Sequence, residues 1–242
     1  MNKNKNFLVF IPVFFALVLS GCATVGVGPE RAIERPPLGS LQNPIIDCDI
    51  SLSTALRKYS PPEFKRRQRL IDVLYYSFDG KIHKGQLVID ERLAPDIREV
   101  FKVALDTRLP IQSVIPISDD RFYRNGKWNS DDQSMLANNT SAFNYRTATG
   151  SRVLSNHAYG FAIDINPVQN PYFKGRVVLP PGAVYDTSRP GTLYEGSPVV
   201  KTFKRLGWTW GGNWKTLKDY QHFEKVLPFE HPAKHRGKRK RV

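Results

Sequence analysis

Four side chains in the C-terminal half of the sequence, His157, Asp164, Asp219 and His222, are of the types that bind a metal ion and move a proton. They lie in two stretches. One is Ser155-Asn156-His157-Ala158-Tyr159-Gly160-Phe161-Ala162-Ile163-Asp164-Ile165-Asn166. The other is Gly207-Trp208-Thr209-Trp210-Gly211-Gly212-Asn213-Trp214, followed by Asp219-Tyr220-Gln221-His222-Phe223-Glu224. Together they offer two imidazoles and a carboxylate as ligands, with a second carboxylate close to the last histidine. Zinc accepts imidazole nitrogen and carboxylate oxygen, and a catalytic zinc centre takes three protein ligands and leaves the fourth position to water.

The local patterns say how such residues could be held. Ala162 to Asn166 alternates with a period of two, which predicts a strand with Ile163 and Ile165 on one face and Asp164 on the other. His157 lies seven residues earlier across Gly160, a spacing suited to a chain that bends back towards one point. The same alternation in His222-Phe223-Glu224 buries Phe223 and turns His222 and Glu224 the other way. Asp219, three residues before His222, falls at or before the start of that strand, where it can stand over a metal without ligating it.

Taken together, Ser155-x-His157-x-x-Gly160-x-Ala162-x-Asp164, Trp210-Gly211-Gly212-x-Trp214 and Asp219-x-x-His222-Phe223-Glu224 resemble the M15 zinc peptidases over about residues 110–230. That family includes D-Ala-D-Ala carboxypeptidases and dipeptidases and phage L-alanyl-D-glutamate endopeptidases, and the likeness is to the endopeptidase-type branch. The resemblance implies His157, Asp164 and His222 as zinc ligands, Asp219 as general base and peptidoglycan stem peptides as substrate. It also implies an arginine near the metal, for which Arg146 is the first candidate and Arg124 and Arg152 are competitors. Ser155 and Glu224 are expected to orient the ligand histidines, and Trp208, Trp210 and Trp214 to shape the pocket. His83, His231 and His235 are assigned to ordinary core or surface roles.

The rest of the chain supplies a scaffold. Leu70 to Phe78 and Lys81 to Ile89 read as a hairpin around Asp79-Gly80, and Pro95 to Arg108 as an amphipathic helix. A short helix is expected at 52–58, an extended segment at 109–117 and a polar loop at 119–139 beside the site. A strand is expected at 139–146, a long connection at 167–196 and a helix capped by Ser197-Pro198 and stopped by Gly207. This order of elements implies an α+β fold, a small antiparallel sheet with helices on one face. The family resemblance implies the Hedgehog/D-Ala-D-Ala peptidase version of it.

The ends carry a different signal. Lys3 and Lys5 precede the apolar run Phe7 to Leu19, and Leu19-Ser20-Gly21-Cys22 resembles a bacterial lipobox. The expectation is a signal peptide at 1–21, lipid on Cys22, an extended tether at 22–46, a peptidase domain at 47–232 with its motif core at 134–230, and a basic tail at 233–242. Loss of residues 1–21 removes Lys3 and Lys5 and takes the formal balance from +14 to +12. With only two cysteines, lipidation of Cys22 leaves Cys48 alone, so no internal disulfide is expected, and Asp47 and Asp49 beside it would raise its pKa. The expected location is the bacterial cell envelope, anchored by lipid, at the outer membrane facing the periplasm if the source is Gram-negative, with anionic wall polymer or lipid headgroups rather than nucleic acid as partners. The rival reading is a non-catalytic, zinc-containing wall-binding lipoprotein; the presence of Asp219 argues against it, because a purely structural metal needs no base. A serine hydrolase finds no support, since no Gly-x-Ser-x-Gly occurs.

Overall fold

The computed structural model describes residues 35–124, 127–128 and 130–229. The expected signal peptide, Cys22, His231, His235 and the basic tail lie outside the described residues. The described residues from Pro36 onwards belong to one compact unit.

Strand β1 (Ile45–Ile46) is followed by two single-turn helices, α1 (Leu52–Ala55) and α2 (Pro62–Lys65). The expected hairpin is present as β2 (Gln68–Tyr76) and β3 (Ile82–Asp90), antiparallel from Gln68↔Asp90 to Tyr76↔Ile82. Ile71, Val73 and Tyr75 of β2 alternate into the core, as a half-buried strand requires. β3 sits between β2 and the parallel β1 and is covered on both faces: Leu87 and Ile89 join the main core, while Val88 packs with Phe64 and Phe143. Helix α3 (Ala94–Asp106) starts with Pro95 in its first turn and buries Ile97, Val100, Phe101 and Ala104 against the hairpin.

After α3 the elements shorten. β4 (Ser113–Val114), β5 (Tyr123–Arg124) and β6 (Lys127–Trp128) precede helix α4 (Ser130–Leu136), and β7 (Asn139–Thr140) then pairs in parallel with β4. β8 (Ala162–Asp164) enters the site, and β9 (Tyr172–Lys174) and β10 (Val177–Leu179) form a hairpin. Helix α5 (Pro198–Arg205) buries Val199, Val200 and Phe203 beside α3. β11 (Thr209–Trp210), β12 (Lys218–Asp219) and β13 (His222–Glu224) complete the chain. Among the described residues no helix is long and apolar enough to cross a membrane.

The fold is α+β, with several corrections to the expected plan. In place of one antiparallel sheet, the described residues form three three-stranded sheets, β1-β3-β2, β10-β9-β12 and β11-β13-β8, and two two-stranded ones, with two parallel pairings among them. Past α3 the described strands are two or three residues long, cut by turns and 3-10 segments, so each pairing there is short. The polar stretch expected as a loop contains α4, whose first turn carries Asp131 and Asp132, favourable charges at a helix N-terminus. Of the expected strand 139–146 only Asn139–Thr140 pairs as one. The long connection contains the β9–β10 hairpin. Residues 36–46, expected within the tether, lie on the sheet: Ile82 N donates to Gly39 O at 2.8 Å and β1 pairs with β3.

One core joins hairpin and site. Phe161, Ile163, Ile165, Trp208, Trp210 and Phe223 share it with α3, α5 and the hairpin. The long excursion between β8 and β13 is closed at its base by Ile165 N donating to Gln221 O at 3.0 Å.

Candidate metal centre

The pairing of β8 with β13 sets the site. Their antiparallel register puts His222 opposite Asp164, Phe223 opposite Ile163 and Glu224 opposite Ala162. Ile163 and Phe223, both fully buried, face the core, so Asp164, His222 and Glu224 must face away from it. A one-residue slip would expose Phe223 and bury Glu224, so the core fixes where the ligand atoms stand.

His157 arrives on a 3-10 turn, Asn156–Tyr159. Ser155 caps it, its Oγ accepting from His157 N at 3.3 Å. Gly160 ends it at φ +69°, where a Cβ would meet Gln68 Oε1 at 2.3 Å and Asp90 N at 2.7 Å. Only glycine tolerates both that backbone and that approach. Gly160 O accepts from Asp90 N and Asn144 N donates to His157 O, which tie the turn to β3 and to the segment before it.

Three acceptor atoms converge. His157 Nδ1 donates to Ala142 O at 2.6 Å, which leaves the Nε2 lone pair pointing at Asp164 Oδ2, 3.1 Å away, and His222 Nδ1, 3.2 Å away. His222 Nδ1 is 3.0 Å from Asp164 Oδ1, and its Nε2 donates to Glu224 Oε2 at 2.9 Å. Asn156 Nδ2 donates to the same Glu224 oxygen at 2.8 Å. The ligand atoms of His157, Asp164 and His222 all lie within 4.8 Å of one another, and all three residues are buried. Each histidine thus has its outer nitrogen engaged as a donor and its inner nitrogen turned inward, the arrangement of ligating imidazoles.

The electrostatics of the centre favour positive charge on His222. Burial opposes charge on His222, but Asp164 and Glu224 override it and push the imidazole up to about 10. Burial would raise the Asp164 carboxyl, yet the facing His157 and His222 hold it far below the usual range. Two imidazole nitrogens and one carboxylate oxygen suit Zn²⁺ in chemistry and number, with a position left open.

Asp219 stands beside them. It belongs to β12, which pairs with β9 through Asp219↔Tyr172. Burial raises its carboxyl to about 6 against the attraction of His222, and its Oδ1 is buried without a hydrogen-bond partner. A Cβ at Gly211 would meet Asp219 O at 2.5 Å, so Gly211 of the Trp-Gly-Gly-x-Trp segment is what lets the β12 backbone approach.

These side chains line one open cleft of about 220 Å³. Arg146 lines it too, its Nε 3.0 Å from Asp131 Oδ1 and its Nη1 donating to Thr147 O at 3.1 Å. The competitors Arg124 and Arg152 are exposed and do not line it. Of the three tryptophans only Trp214 lines the cleft, its ring 5.3 Å from that of His222. Trp210 is a core residue: it is 4% exposed, its Nε1 donates to Tyr220 O at 2.9 Å, and its ring stacks towards Phe223. Trp208 is buried likewise, donating to Asp96. Ser155 holds the His157 backbone rather than the ring. His83 lies away from the site between Asp47 and Asp79. Cys48 donates to Gln86, and burial, ahead of the charges of Asp119 and Asp49, pushes its thiol up to about 11. The ring partner of His157 is the Ala142 carbonyl, a main-chain atom that residue types cannot disclose. Asn156 and Asp131 were reachable only through the geometry.

Residues 148–225 match the family described as D-alanyl-D-alanine carboxypeptidase, within the M15 peptidases. A curated relative, the peptidoglycan L-alanyl-D-glutamate endopeptidase CwlK of Bacillus subtilis (strain 168), is 36% identical over 72 residues, 30% of this chain and 40% of the relative. The chain thus spans well under half the length of the curated relative it matches. No solved structure matches the chain. The matched stretch contains His157, Asp164, Asp219 and His222 together, and it is over this stretch that the chain is similar to the M15 peptidases.

Proposed function

We propose that the chain is a zinc-dependent peptidase that hydrolyses peptide bonds in peptidoglycan stem peptides, as an endopeptidase or a D,D-carboxypeptidase. The observation that carries this reading is a carboxylate, Asp219, with one buried oxygen that has no hydrogen-bond partner, on the same cleft as three converging candidate ligand atoms. A structural metal has no use for such a group. The substrate class is supported by the named activity of the Bacillus relative. The Hedgehog/D-Ala-D-Ala peptidase fold is proposed with it, on the α+β architecture and the family match.

His157 Nε2, His222 Nδ1 and an Asp164 oxygen would hold the zinc. When bound, the metal supplies Lewis acidity at the scissile carbonyl and lowers the pKa of a water to about 7. Asp219 takes the proton of the attacking water and returns it to the leaving amine; its raised pKa makes both halves of that exchange accessible near neutrality. Arg146, on the cleft wall, stabilises charge on the carbonyl oxygen, a contribution of ~3 kcal/mol for one well-placed donor. Glu224, through His222 Nε2, keeps that imidazole turned to the centre. Trp214 and Leu217 form an apolar wall that limits bulk water.

The placement proposed is the bacterial envelope, with Cys22 carrying lipid, supported by Leu19-Ser20-Gly21-Cys22 after the apolar run. The test of the activity is elemental analysis of the purified protein together with mass spectrometry of defined muropeptides after digestion. The expected result is about one zinc per chain and one bond type cleaved, lost on chelation and restored by zinc. A zinc-loaded protein inert on every muropeptide would overturn the enzyme reading.

A further inference from the structure

A chain of polar contacts outside the matched segment ends on the Arg146 guanidinium. Lys58, just after α1, donates from Nζ to Asn144 Oδ1. Asn144 is buried, and its Nδ2 donates to Asp131 Oδ1 at 3.1 Å. That same oxygen is 3.0 Å from Arg146 Nε, at an angle that makes the contact an ion pair rather than a hydrogen bond. The Asn144 backbone N–H donates to His157 O at 3.0 Å, so the centre of the relay is fastened to the segment that carries a ligand.

We infer that Lys58 is a positioning residue which, through Asn144 and Asp131, holds the Arg146 guanidinium against the cleft wall. The inference rests on the oxyanion role given to Arg146 above. An ammonium only donates, so Lys58 can face only the carbonyl end of the Asn144 amide. That sets the amide with its NH2 group towards Asp131. A flipped amide would put its oxygen against the carboxylate and push Asp131 away from Arg146. Lys58 also shares the charge of Asp131, so the single carboxylate does not neutralise the guanidinium. The charged groups facing Lys58 are Asp131 and Arg146; burial pushes its ammonium down to about 8, with Asp131 opposing, so it remains charged at neutral pH. Lys58, Asp131, Asn144 and Arg146 all precede residue 148, so this support is built by the part of the chain that the family match does not cover.

The test compares the full zinc-loaded protein with Lys58→Met and Lys58→Arg. Lys58→Met should keep its zinc and its KM and lose kcat about tenfold, as for one weakened charge-assisted contact. Lys58→Arg, which keeps a donor and a charge, should recover most of it. In parallel, the ¹⁵Nε–¹Hε signal of Arg146 should shift or broaden in Lys58→Met and return towards wild type in Lys58→Arg. An active wild type whose kcat is untouched by Lys58→Met would overturn the inference, as would lower thermal stability with the Arg146 signal unmoved. If the wild type cleaves no muropeptide, the peptidase reading falls, and the Arg146 signal still decides whether Lys58 positions it.

Discussion

The base role proposed for Asp219 comes at the expense of stability, and Asp219→Asn measures that expense. Its carboxyl rises from 3.8 to about 6 on folding, because burial outweighs the attraction of His222. Between those values the native protein binds more protons than the unfolded chain, so this group makes stability fall as pH rises through the window. The loss is complete above about pH 6 and absent below about pH 4. At ~1.4 kcal/mol per tenfold, it amounts to about 3 kcal/mol at most. Asparagine has nearly the same shape and no charge. The metal-free Asp219→Asn protein should therefore be more stable than metal-free wild type at pH 8, by up to about 3 kcal/mol, or roughly 6–12 °C in Tm for a domain of this size. At pH 4 the two should melt together. The assay is thermal unfolding by circular dichroism with a chelator, at both pH values, with hydrolysis measured on the zinc-loaded proteins. A variant no more stable at pH 8, or equally stabilised at pH 4 and pH 8, would refute the reasoning. The same variant should lose at least ~10² in turnover.

Glu224→Gln keeps the shape of the His222 Nε2 partner and removes its charge, so zinc affinity should fall by about 10- to 100-fold with the fold intact, read by competition with a chromogenic chelator. Trp214→Ala should change KM and leave Tm nearly unchanged, while Trp210→Ala, which empties a core position, should cost about 3–5 kcal/mol by denaturant unfolding. Cys22→Ser should block lipid incorporation and signal cleavage by the lipoprotein route while zinc content stays the same, read by labelled-lipid incorporation; a wild type recovered soluble and without lipid would defeat the anchoring proposal.

The sequence is most legible where one residue pattern decides one element. The β2–β3 hairpin is marked by Asp79-Gly80 between alternating runs, and α3 by Pro95 ahead of a 3.6-residue apolar stripe. At the site, the alternation about Asp164 and Phe223 is legible because the opposite faces of β8 and β13 have opposite polarity. Helix α4 is not legible for the same reason in reverse. It carries almost no apolar stripe; Ser134, its buried residue, is held by a hydrogen bond from Asn139 rather than by apolar packing. Periodicity reports apolar burial and passes over a helix fastened by polar contacts. Trp210 and Trp214 are also indistinguishable by type, since which of them reaches the cleft depends on the 3-10 turn Gly211–Asn213 between them.

The hydrogen bond from Ile165 N to Gln221 O has a meaning for how this protein can diversify. It clamps both ends of the excursion from 166 to 220, which contributes Tyr172, Leu179, Trp214 and Leu217 to one side of the cleft. The three candidate metal-binding side chains, His157, Asp164 and His222, stand outside the clamp. A chain built this way can lengthen its substrate-facing wall between fixed posts, and doubling a flexible loop costs only about 0.6 kcal/mol. The segment from 180 to 196, with its ends on the β9–β10 hairpin and α5, is where such an insertion leaves His157, Asp164, His222 and Asp219 in place. Mutational drift in this protein can therefore retune what enters the cleft while the His157, Asp164 and His222 cluster is inherited unchanged.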